Sequence, residues 1–130
     1  MKAINKTSKA ILARIIEGLH EPGDAKKLDN AKGSFMALCV EMVSFSPAHY
    51  SLAHYGEQNG DAMRDPEVIF YSDGENFYPY YFRNDYAGIE RYWVEFGPDG
   101  YPHAINVRQQ ADLASFCNTW LRNLKDQQGL

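Results

Sequence analysis

The chain has 130 residues, 45% of them hydrophobic and 14% aromatic, and carries a net charge of −4. That length points to one domain around one core, burying roughly two-thirds of the surface the unfolded chain exposes. The acidic balance excludes a general phosphate-neutralising surface, since nonspecific nucleic-acid binding runs on Lys and Arg displacing counterions, and no apolar run approaches the ~20 residues that cross a bilayer.

In chain order, Ile11, Leu12, Ile15, Ile16 and Leu19 recur at helical spacing and predict a first helix over residues 8 to 19, capped by Thr7 or Ser8 and stopped by Pro22 and Gly23. Lys26, Lys27 and Lys32 follow in a polar connection ending at Gly33, read as a solvated loop. Residues 34 to 45 are almost all apolar and rich in strand formers, which predicts a central strand. After the Ser46-Pro47-Ala48 turn, residues 50 to 55 alternate, with Leu52 and His54 on one face and Ser51, Ala53 and Tyr55 on the other.

A polar stretch then runs to Glu67, with turn character at Asn59-Gly60-Asp61, because Asn and Gly accept positive φ at little cost. Pro66 lacks a donor for a sheet ladder, so it is expected at the entry of a strand over residues 67 to 71. Asp73-Gly74 predicts a hairpin to a strand over residues 76 to 83, where Pro79 argues for a sheet edge or a bulge. A strand over residues 88 to 96 ends at Gly97-Pro98-Asp99-Gly100, and a short last strand covers residues 101 to 105. Leu113, Phe116, Cys117, Trp120 and Leu124 then form one face of a closing helix, with Asn106 and Gln109 resembling a capping box and Gly129 beyond its end. The expected fold class is α+β: a single-domain antiparallel sheet of about six strands in a meander, flanked by an N-terminal and a C-terminal helix.

Chemistry concentrates in residues 51 to 67. His54, Glu57, Asp61, Asp65 and Glu67 are residue types that hold divalent cations, but their spacing matches neither an EF-hand loop nor a HExxH helix, so no metal and no cofactor are assigned. Asn59, Asp65, Arg83 and Asp85 are expected in structural roles, fixing turns and a polar corner. His20, His49, His54 and His103 are dispersed, and no GxSxG elbow or phosphate loop occurs. Cys39 and Cys117 lie in apolar segments and read as buried free thiols of a reducing cytoplasm. Binding is therefore assigned to His54, Glu57, Asp61 and Arg64, and to Tyr78, Tyr80 and Trp93 on a sheet face the helices leave open. Alternation puts Tyr78, Tyr80 and Phe82 on one side of their strand.

The segments SLAHYGEQNGDAMRDPE, FRNDYAGIERYWVEF and DLASFCNTWLRNLKDQQG resemble a family of small bacterial proteins carried on plasmids, conjugative elements and phages and known only as a domain of unknown function. The resemblance runs over roughly residues 33 to 128, and Gly56 stands where the family's bulkier aromatic is expected. It implies an origin in mobile elements and carries over no site residues. The expected function is that of a non-enzymatic, cytoplasmic accessory protein that binds another protein and modulates host defence. A small metal-dependent hydrolase using the carboxylates after His54 is the first alternative, and a single-strand nucleic-acid binder using an aromatic sheet face is the second. Self-association through that face or the Pro79 edge is a further expectation.

Overall fold

Asn5, rather than Thr7 or Ser8, opens the first helix: its side chain accepts from the Ser8 N–H at 2.8 Å, and α1 (Lys6–Ile15) follows. The computed structural model describes residues 1–29 and 35–130; Lys32, Gly33 and Ser34 lie outside them. Among the described residues, β1 (Ala25–Leu28), β2 (Leu38–Ser44), β3 (His49–Gln58), β4 (Asp61–Ser72), β5 (Phe77–Asn84) and β6 (Ile89–Tyr92) pair antiparallel, in sequence order, as a six-stranded sheet. Then β7 (Val94–Phe96) and β8 (Pro102–Ile105) form a separate two-stranded ladder, and α2 (Val107–Gln128) closes the chain. The helix–meander–helix, α+β architecture is as expected. No described helix is long and apolar enough to cross a membrane.

Both helices lie on one face of the sheet. Val40, Leu52 and Val68 are register partners, so they share a face, and they join one core with Ile11, Leu12 and Ile15 of α1 and Leu113, Cys117, Leu121 and Leu124 of α2. Each such side chain contributes about 1.5–3 kcal/mol on leaving water. Asn106 caps α2 by accepting from the Gln109 N–H, and Gly129 ends it in the left-handed region at φ 68°.

Several elements differ from the sequence expectation. The basic connection contains β1, an edge strand, and that moves β2 one strand in from the edge. Pro66 sits inside β4 rather than at its entry. The ladder shifts there, with Ala53 opposite Glu67 and Tyr55 opposite Arg64, so the missing N–H falls at the irregularity. Pro79 lies in an interior strand and not at an edge; the bulge reading holds, since Ile69 pairs with Tyr81 but Phe70 with Pro79. That extra residue breaks the alternation, sending Phe82 to the helix face and Tyr81 to the open one. The strand predicted over residues 88 to 96 divides at Trp93, whose N–H bonds Tyr80 while its carbonyl accepts from Asn106. The backbone therefore leaves the main sheet, and β7–β8 folds over one end of the face opposite the helices.

Candidate binding face

Pairing register puts two rows of side chains across the face opposite the helices. One runs Ala25, Glu41, Ser51, Ile69, Tyr81, Tyr92; the other runs Lys27, Cys39, Ala53, Glu67, Arg83, Glu90. Over β1 to β3 the centre of these rows is small: Ala25, Cys39, Ser51 and Ala53. Larger groups stand around it, Val43 and Tyr55 being 43% and 41% exposed. The result is an open concavity of about 570 Å³, lined further by Lys27, Glu41, Glu67 and Ile69.

At the other end of the face, Phe96 of β7 covers an aromatic cluster, with ring centroids 4.5 Å from Tyr80, 4.9 Å from His49 and 5.7 Å from Tyr71. The carbonyl of Gly100 can only accept, so His49 Nε2 carries the proton it donates at 3.2 Å. Nδ1 is then the lone pair that accepts from the Tyr80 hydroxyl at 2.9 Å. Burial pushes the His49 pKa below its ordinary 6.5, against the opposing Gly100 hydrogen bond, and pushes the Tyr80 phenol well up.

A chain of charges runs between concavity and sheet edge. Ser51 Oγ donates to Glu67 Oε2 at 2.6 Å, and Arg64 Nε lies 2.9 Å from Glu67 Oε1. That Arg64–Glu67 approach is an ion pair without hydrogen-bond alignment, since Arg64 Nε is buried and makes no hydrogen bond among the described residues. The Arg64 N–H donates to Asp85 Oδ2 at 2.8 Å, and Arg83 Nε donates to Asp85 Oδ1 at 2.7 Å. These two donors, the Arg64 backbone first, hold the Asp85 carboxyl below the usual carboxylate range. Glu90 accepts from Arg83 at 3.5 Å and from the Tyr81 hydroxyl, whose pKa is raised by burial and then by Glu90. The Arg64 guanidinium lies 5.9 Å from the centre of the Tyr55 ring.

The residues singled out in the sequence fall in different places. His54 is buried on the helix face, where its Nδ1–H donates to Ala37 O at 2.9 Å and its ring meets Trp120 edge-on. Glu57 and Asp61 are exposed at the β3–β4 tip, beside a turn in which Asn59 has φ 53°. Among the described residues no three His, Cys, Asp or Glu side chains gather as metal ligands. Asp65 accepts from Asn84 Nδ2 at 3.0 Å, and Arg83 and Asp85 form the expected polar corner. Tyr80 is 7% exposed beneath Phe96, Tyr78 bonds Asp73, and Trp93 packs on the helix-side core, so none of them is a freely presented ring.

Cys39 is half-buried on the concavity floor, in contrast to fully buried Cys117, whose thiol pKa burial raises. None of the concavity's lining is among the binding residues expected from sequence. Its signal was present as Ser51 and Ala53 alternating in β3, beside Cys39 in the adjoining strand. At Gly56 a side chain would collide with the Tyr86 ring, which donates its hydroxyl to the Glu57 carbonyl at 3.3 Å. Tyr86 thus takes the space an aromatic at that position needs.

The family model DUF6908, described as a domain of unknown function, matches residues 6–130. The chain belongs to that family. No curated protein and no solved structure matches it. The DUF6908 match spans every element described above, from α1 to α2, and so includes both the open face and the hairpin that covers its far end.

Proposed function

We propose that this protein is a non-enzymatic accessory protein of a mobile genetic element, working in the cytoplasm by binding another protein through the open half of its sheet. The observation that carries this reading is the character of that face. An apolar-floored concavity of about 570 Å³ carries both signs of charge on its wall, Lys26 and Lys27 with Glu41 and Glu67, and beside it Arg64 is paired with Glu67 and Arg83 with Asp85 and Glu90. Such a face has apolar area to bury, its two arginines are already paired, and its lysines stand beside carboxylates, which favours a protein over a polyanion. The covered positions of Tyr80 and Trp93 weigh against base stacking on those rings. The separation of His54 from Glu57 and Asp61 weighs against a shared acid–base or metal site.

The mobile-element part of the proposal rests on the resemblance of the segments around His54, Arg83 and Trp120, and a host-defence protein is the partner class it suggests. The test is affinity capture from a bacterial host lysate, with the wild-type chain beside a Val43→Arg/Tyr55→Ala variant. Both substitutions are at exposed positions, so the variant should melt as the wild type does. A prey retained by the wild type and lost by the variant supports the reading; preys common to both refute it.

A further inference from the structure

We infer that the helix layer carries a second, separate docking site: the groove between α1 and the end of α2 receives an acidic amphipathic helix of a partner protein. The groove has a volume of about 360 Å³ and an apolar floor of Ala10, Ile11 and Leu130. Leu130 is brought there by the left-handed turn at Gly129, which lets its N–H bond the Lys125 carbonyl at 3.0 Å.

Three cations border this floor: Lys6 and Arg14 on α1 and Lys125 on α2. Among the described residues none of them has an ion pair or a side-chain hydrogen bond, whereas Arg64 and Arg83 on the sheet face are both paired. α1 contains Lys6, Lys9 and Arg14 and no acid, so the positive end of its dipole is also uncompensated. A net charge of −4 makes this a local positive border on an acidic molecule.

The occupant follows from charge and spacing. Lys6 and Arg14 are eight residues apart on one helix, about 12 Å at the helical rise. A partner helix laid along α1 meets both with acids about two turns apart and sets an apolar side chain between them on Ala10 and Ile11. This inference is independent of the sheet-face reading, and the two sites together would let one chain bridge two proteins.

The test uses the full chain and a fluorescent helical peptide with two Glu residues about two turns apart and a Leu pair between them, read by anisotropy. Lys6→Glu/Arg14→Glu should weaken binding about tenfold with an unchanged melting temperature, and a peptide with Lys in place of Glu should recover it. Val43→Arg, on the sheet face, should have no effect. Equal binding by wild type and charge-reversed variant overturns the inference. So does equal binding of a Leu→Ser peptide, which would mark a simple polyanion surface, or no saturable binding up to about 1 mM. A wild-type dimer that the charge-reversed variant dissolves also overturns it, in favour of a second copy as occupant.

Discussion

Two buried polar side chains behave oppositely. Ser8 is fully buried in α1 and its hydroxyl has no hydrogen-bond partner among the described residues. Ser8→Ala removes an unmet polar group and raises helix propensity, so denaturant unfolding should show a gain of about 1 kcal/mol. Gln110 is just as buried but fully engaged: its Oε1 accepts from the Lys2 N–H, and its Nε2 donates to the Lys2 and Pro79 carbonyls, each at 2.9 Å. Gln110→Ala strands those groups and should cost about 2–4 kcal/mol in the same assay. The Asn106 cap of α2 was legible because capping is local, three residues along one chain. Gln110 was not, since its partner Lys2 is 108 residues away and only the fold brings them together.

One imidazole ties the β7–β8 hairpin to the sheet beneath it, beside the Trp93 backbone bonds and the packing of Phe96. His49 anchors Gly100 and Tyr80 and lies under Phe96, and its folded pKa is lowered, first by desolvation. A histidine whose folded pKa lies below its unfolded value stabilises the fold fully above the unfolded 6.5, and that stability is lost as pH falls below it. Thermal melts should therefore drop below about pH 6.5, and His49→Gln should flatten that dependence while lowering the melting temperature at neutral pH. An unchanged pH profile in the variant would show that another group titrates. The hairpin itself was hidden in the sequence because residues 88 to 96 read as one strand-forming run. What divides them is the pairing of the Trp93 backbone with Tyr80 and Asn106, a tertiary fact. β1 was equally hidden: a four-residue strand containing Lys26 and Lys27 has no alternation to distinguish it from a loop.

At the scale of the whole molecule, both sheet edges are guarded. A two-fold pairing of β6 with a second copy keeps each face on its own side, so it centres on Glu90 against Glu90 or Arg91 against Arg91; for β1 the facing residues are Lys26 or Lys27. Like charges meet in every case, which is how natural edges resist pairing. The expected self-association through the Pro79 edge has no such edge to use, because β5 lies between β4 and β6. Light scattering at high concentration should return a monomer, and a dimer would show that another surface is used.

The meander and its helices were legible from turn residues and helical spacing, while the candidate face was not. Its location depends on both helices packing on one side and on the β5 bulge that redirects Tyr81 and Phe82. Of the aromatic residues predicted to bind, Tyr80 lies under β7–β8 and Trp93 on the helix side, while small residues of β1 to β3 shape the open half.

The central claim is that this open half meets a protein, and a photo-crosslinking residue placed at Val43 tests it at the surface concerned. After irradiation in a host lysate, Val43 should give a discrete protein adduct that the same crosslinker at exposed Glu75, in the β4–β5 turn, does not give. No adduct from Val43, or the same adducts from both positions, would contradict the account.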